Sequence, residues 1–224
     1  MIPFESIING EKVKRELPTR YEEVQFKYFL LIANSPKDTN SILSILTGID
    51  VEIIKKAKIK NVDDIILALS FFNHDAELKL PETILGYNVP NDLGFECTAQ
   101  YEDLKLHINE CRKKKLTDLE LLSFYPLYCA IYACSQKYDS YDWQKAEYLA
   151  NEFMSAPATE VLAIGNFTLV KLIGLSLGIK SDVHKRLTRR QSWMLAFRAW
   201  VMSLVLPVQL YIWRRKHRTK KVSY

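Results

Sequence analysis

From Thr159 to Ile179 the chain is apolar on nearly every helical face. A helix with no polar stripe cannot lie on a surface, so the other elements have to wrap around it. A bundle of helices meets that requirement, and the breakers agree. Seven glycines and eight prolines in 224 residues are few, which argues for long helices and against a loop-rich sandwich. At this length the chain can bury a sizeable core as one or two domains. Gly165, Gly174 and Gly178 inside the apolar stretch would let a neighbouring backbone approach closely.

Local signals place the remaining elements. Residues 4–17 alternate on both sides of Asn9-Gly10, a pair suited to a two-residue hairpin turn, and Pro18 ends the hairpin. Thr19 and Glu22 are spaced for a capping box, opening a helix with the stripe Tyr21, Val24, Tyr28, Leu31 and Ile32 that stops at Ser35-Pro36. Short helices are predicted over 38–47, 50–58 and 61–73, with Gly48 closing the first and Asn61 capping the third ahead of Asp63 and Asp64. Residues 77–96 read as a loop or a second hairpin near 83–95, which could pair with the first, since an isolated hairpin is marginal in water. A helix then runs from Thr98 to about Lys114. Thr117 and Glu120 form a second capping box, opening a helix through Cys134 with a kink at Pro126. Asp142 caps a helix to Met154, and Pro157 ends the loop before the apolar helix. The expected fold is mainly α, a multi-helix bundle with one or two small β-hairpins and a C-terminal helical arm. Residues 1–180 form the body and 181–224 the arm.

Charge divides the chain at the same place. Residues 181–224 hold eleven Lys and Arg against the single acid Asp182, whereas the first 180 hold 20 basic and 25 acidic side chains. A body of net charge −5 is thus joined to an arm of +10. The four cysteines Cys97, Cys111, Cys129 and Cys134 show no Cys-x-x-Cys, and Met1-Ile-Pro-Phe-Glu carries no secretory signal. Reduced cysteines made in a cytoplasm are expected.

Few residues suggest chemistry. His107 and Cys111 are four apart on a predicted helix, a spacing that can aim two ligands at a metal, but only His74 and Cys97 remain to complete a set. A half-buried helix face explains the pair better. Ser123 and Ser192 lack a nucleophile turn, and Glu22-Glu23, Asp63-Asp64 and Glu102-Asp103 fall in first turns, where the helix dipole explains them. No Gly-rich phosphate loop is present; Gly174-x-x-x-Gly178 lacks the following Lys. A protein that binds without turnover, with no cofactor and no metal, is expected.

The arm carries the strongest signal. Trp193, Phe197, Trp200 and Leu204 recur at helical spacing, with Tyr211 and Trp213 beyond Pro207. Arg189, Arg190, Arg198 and Arg214 flank them, and Arg215, Lys216, Arg218, Lys220 and Lys221 complete the basic tail. As a membrane span the uninterrupted run Ala199–Trp213 is only 15 residues long and includes Pro207 and Gln209, short of the ~20 a bilayer needs. As a nucleic-acid ligand the tail could meet phosphates but has no readout motif, so DNA contact would be non-specific. Aromatics, Met and Arg together are the composition of protein interfaces. Docking of the aromatic face on another subunit, with the basic residues meeting acids at the rim, ranks first, and membrane contact ranks below DNA contact.

Two stretches bear on the setting. Leu17-Pro-Thr-Arg-Tyr-Glu-Glu-Val-Gln-Phe26, leading to Ile42-Leu-Ser-Ile-Leu-Thr-Gly-Ile49, resembles the opening of tail assembly chaperones and similar accessory proteins of tailed-bacteriophage morphogenesis modules. Glu160-Val-Leu-Ala-Ile-Gly-Asn-Phe-Thr-Leu-Val-Lys-Leu172 is similar to the same group. Together they cover under a fifth of the chain and hold no catalytic residues. The resemblance implies a phage morphogenesis protein, and a structural protein of the assembled particle in the portal or tail region is the expected role. Such a protein is made in the host cytoplasm, retained in the virion, and partnered by other phage structural proteins as a homo- or hetero-oligomer. It leaves open a tail assembly chaperone absent from the mature particle, and a membrane- or DNA-binding accessory protein acting through the basic C-terminus. The aromatic basic arm is not part of the chaperone pattern.

Overall fold

The computed structural model describes residues 1–176 apart from Asn9, Lys37, His74 and Asp75, together with Leu187 and Thr188. Helices take up 59% of these residues, so the protein is mainly α, with small antiparallel strand pairs. The first hairpin forms as its alternation predicts. Strand β1 (Ile2–Ile8) pairs with β2 (Glu11–Leu17), Ile8 opposite Glu11, across a two-residue turn in which Gly10 has φ 84°. Phe4 and Leu17 turn inward and are fully buried.

The capping box expected at Thr19 is replaced by a different arrangement. Glu23, one residue further on, accepts from the Thr19 N–H at 2.8 Å and its hydroxyl at 3.2 Å, and also meets Arg20 and the N-terminal ammonium. Only a 3-10 turn (Tyr21–Glu23) forms there. The α-helix waits until α1 (Phe26–Ala33), because residues 24–27 are stitched to another segment. Phe26 N donates to Ala156 O and Ala158 N to Val24 O, flanking a bridge from Gln25 to Pro157. The inward face of α1 is consequently Phe26, Phe29 and Ile32, while Leu31, expected in the stripe, is exposed.

The shift at Glu23 has a measurable consequence. The Thr19 backbone N–H, reinforced by the N-terminal ammonium and Arg20, outweighs burial and lowers the Glu23 carboxyl to about 2. A depressed folded-state value contributes stability above the unfolded carboxylate range, and that contribution is lost as pH falls from about 4.5 towards 2. Glu23→Gln is therefore expected to be less stable than the parent at pH 7 by about 1 kcal/mol. The difference should close near pH 2 in parallel denaturant titrations, and a difference that persists unchanged at pH 2 would contradict it.

Helix α2 (Thr39–Thr47) is capped by the Asp38 carboxylate on Ser41 N at 3.0 Å and closed by Gly48 at φ 73°. Helix α3 (Val51–Lys56) is shorter than predicted. At Ala57 the chain becomes extended, and β3 (Lys58–Ile59) pairs with β1, Ser6 opposite Ile59. The first hairpin thus gains its third strand from here, not from the second hairpin. Asn61 takes up a left-handed conformation (φ 56°, ψ 42°) between β3 and α4 (Val62–Leu69) without a side-chain cap. A 3-10 turn, Ser70–Asn73, extends α4.

Strand β4 (Glu77–Leu78) precedes the second hairpin, β5 (Thr83–Ile84) and β6 (Tyr87–Asn88). That hairpin forms its own two-stranded sheet, correcting the expectation that it joins the first. It is held instead by a helix: Gln136 accepts from Asn88 N and donates to Asn88 O, both at 2.8 Å.

Helix α5 (Thr98–Lys113) matches its prediction, with Glu102 and Asp103 beyond its first turn. The Thr117–Glu120 capping box forms, Glu120 N donating to Thr117 Oγ1 at 3.3 Å and Thr117 N to the Glu120 carboxylate at 2.6 Å. It opens only the short α6 (Asp118–Leu122). Pro126 does not kink a continuous helix; it lies in the first turn of a separate α7 (Tyr125–Tyr138), where its missing N–H costs nothing. Asp142 caps α8 (Trp143–Phe153) as predicted, accepting from Lys145 N at 3.0 Å. Helix α9 (Ala158–Ser176) is the apolar helix, and it is buried along most of its length to Leu172.

Helix α7 is as deeply encased: every residue from Tyr125 to Cys134 is buried, with α8 and α9 packed against it. It anchors the larger apolar cluster. A smaller one lies between the first sheet and α1–α4, around Phe4, Leu43, Ile54 and Ile65. Phe71 and Phe72 touch both clusters, and Tyr21 meets their rings edge-on at 5.0 and 5.6 Å. Strand β7 (Leu187–Thr188) pairs antiparallel with β4, so these two residues of the 181–224 segment return to the body.

Candidate functional site

Polar groups converge between α7, α9 and the loop before α5. The Tyr125 hydroxyl donates to Asn166 Oδ1 at 2.8 Å. The Tyr132 hydroxyl donates to Leu93 O at 3.2 Å and accepts from Thr168 Oγ1 at 3.4 Å. Lys171 reaches from α9 to the carbonyls of Asp92 and Leu93 at 2.7 and 2.8 Å, its ammonium 5.6 Å from the Phe95 ring centre. These bonds tie the loop before α5 to the central helices. Two atoms in the same region, Tyr128 Oη and Asn166 Nδ2, are buried with no hydrogen-bond partner among the described residues.

His107 Nε2 and Cys111 Sγ are 3.5 Å apart on α5, with the imidazole against Phe124 and Trp143. Burial lowers the imidazole and raises the thiol, so both shifts favour a neutral pair over an imidazolium–thiolate pair. Burial likewise raises Cys129 and Cys134, the phenols of Tyr128 and Tyr132, and the half-buried carboxyl of Glu160. Tyr141 is raised by burial and by the Asp103 carboxylate to which it donates at 3.2 Å. Such groups pack in the interior, and the raised thiols of Cys111, Cys129 and Cys134 are not poised as nucleophiles at neutral pH.

Among the described residues no three His, Cys, Asp or Glu side chains cluster as a metal would need. Cys97 lies exposed ahead of α5, and His74 lies outside the described residues. Among the described residues, too, no helix is long and apolar enough to cross a membrane. No protein-family model, curated protein or solved structure matches the chain.

Every residue assigned to docking lies outside the described residues: Trp193, Phe197, Trp200, Leu204, Tyr211 and Trp213, and the basic set Arg189, Arg190, Arg198, Arg214, Arg215, Lys216, Arg218, Lys220 and Lys221. The body carries two surface features that sequence reasoning missed. On the outer face of the first sheet, Lys12, Lys14 and Lys60 converge on Glu5 at 3.4, 3.1 and 3.7 Å, and Lys14 and Lys12 lower its carboxyl against the opposing effect of burial. The alternation of β1 and β2 could have revealed this face once a third strand was known. The other feature is on α4, where Val62, Ile66 and Leu67 are exposed while Ile65 and Leu69 face the core. Six apolar residues in eight exceed what one buried stripe requires, and that excess was visible in the sequence.

Proposed function

We propose that this protein is a non-enzymatic structural component of a tailed-bacteriophage particle, in the portal or tail region, and that it works by docking its C-terminal arm on a neighbouring subunit. The observation that carries this reading is the arm itself: a regularly spaced aromatic face within a segment of eleven cations and one acid, joined to a body of net negative charge. Action without turnover is supported by the interior of the body, whose buried thiols and phenols are held in their neutral forms. The phage setting rests on the resemblance of residues 17–26, 42–49 and 160–172.

Deleting 191–224 is expected to leave a soluble, folded body that no longer enters particles, scored by mass spectrometry of purified virions. Trp200→Ala should weaken docking by about thirtyfold, since buried aromatic anchors dominate interface energies. Neutralising any one of Arg214, Arg215, Lys216, Arg218, Lys220 or Lys221 should cost less than about fivefold. Particle entry that survives the deletion overturns the reading. Loss of detergent-sensitive membrane association alone would assign the arm to a membrane, and loss of salt-sensitive DNA binding alone to nucleic acid. A protein found only in infected-cell lysate would be a chaperone.

A further inference from the structure

The exposed apolar face of α4 has an occupant within reach. Val62 and Ile66 lie one turn apart, and Leu67, 74% exposed, stands beside them; Asp63 falls one turn before Leu67 on the same side. Strand β7 brings the start of the arm to this neighbourhood. Glu77 of β4 lies opposite Thr188, and the pairing is antiparallel. Glu77 follows the 3-10 turn Ser70–Asn73, in which α4 ends, by four residues, so Thr188 is held at a point close along the chain to that end of α4. Five residues from Thr188 to Trp193 can span up to about 17 Å. The exposed run from Val62 to Leu67 is only about 8 Å long. Apolar character and charge match: the arm holds Arg189, Arg190 and Arg198, and the first turn of α4 holds Asp63 and Asp64.

We infer that in the free protein the segment 191–204 folds back onto its own body, its Trp193, Phe197 and Trp200 face covering Val62, Ile66 and Leu67 of α4. The segment runs antiparallel to α4, which brings Arg198 towards Asp63. The inference rests on the docking-arm reading and adds regulation to it: the face that meets a neighbour in the particle is covered by the chain's own α4 beforehand, and assembly exchanges one apolar partner for the other. A covered arm keeps its aromatic face from non-specific association.

The test uses the full-length protein alone, with trypsin cleavage between Arg189 and Arg198 as the readout. Leu67→Asp should speed that cleavage about tenfold or more, because protection follows the fraction of chains with the arm in place. Phe197→Asp, in the arm, should do the same and cannot act by weakening α4 itself. Leu106→Asp changes a leucine of comparable exposure on α5 and should have no effect. Wild-type protection should be independent of protein concentration. Equal cleavage rates in wild type and both aspartate variants overturn the inference. So does protection that grows with concentration, which would make a second copy the occupant. No assembly partner is present, so failure here leaves the particle-entry result unaffected, and failure of particle entry leaves this one unaffected.

Discussion

Gly165→Ala is expected to destabilise the body by about 2–4 kcal/mol, although it replaces a mid-helix glycine by the best helix former. A Cβ at this position would lie 2.1, 2.3 and 2.7 Å from Cδ2, Cγ and Cε2 of Tyr125. Those atoms belong to the root and edge of a ring, not to a flexible chain end. The ring is 3% exposed, and its hydroxyl is bonded to Asn166, the residue after the glycine. To admit the methyl group α9 must back away from α7 or the tyrosine must leave its site, and losing a buried aromatic costs about 3–5 kcal/mol. The helix-propensity gain of about 1 kcal/mol does not offset that. In a body of this size the loss should lower the thermal midpoint by about 10 °C. Combining Gly165→Ala with Tyr125→Leu, which vacates the ring's volume, should recover part of the loss. A midpoint that rises, as propensity alone predicts, would refute the packing argument. The glycine had been expected to admit a backbone; it admits a side chain.

Gln100→Leu should cost about 3 kcal/mol for a different reason. Gln100 is fully buried, and its amide makes three bonds: Oε1 accepts from Glu96 N at 2.7 Å and Cys97 N at 3.4 Å, and Nε2 donates to Ile131 O at 3.0 Å. Leucine keeps the volume but takes the acceptor from the Glu96 N–H, at about 1–3 kcal/mol, and the second donor from the helical Ile131 carbonyl, at about 1 kcal/mol. The same change at the exposed Gln144 should stay within about 0.5 kcal/mol. Chemical denaturation of both variants checks this. Equal midpoints would show that the buried amide contributes nothing beyond its volume.

What could be read from the sequence was whatever is settled within a few residues. The caps at Asp142 and Thr117 and the register around Asn9-Gly10 depend on bonds or pairings close in the chain, and they form where the spacing put them. Thr19 shows the limit. Its spacing matches that of Thr117, but the N-terminal ammonium and Arg20 converge on Glu23, and the amides of residues 26 and 27 are already committed to the 154–156 carbonyls. The same local pattern therefore closes differently. Helix α7 was foreseen only as the later part of a longer kinked helix. Burial on all sides erases the 3.6-residue alternation that marks a surface helix, and Pro126 reads equally as a kink or as a start.

The body's mainly helical class and the apolar character of α9 followed from composition and periodicity alone, because both are properties of side chains counted along the chain. So did the arm's charge and aromatic spacing, on which the proposed docking residues rest. Tertiary structure decided which elements became neighbours: the third strand at Lys58–Ile59, the clamp of Gln136 on the second hairpin, the two clusters joined through Phe71 and Phe72, and the return of Leu187–Thr188 to β4. Each of these joins residues far apart in the chain. Their pairing depends on which polar groups and surfaces the collapsed body leaves unsatisfied, and no window of local sequence holds that information.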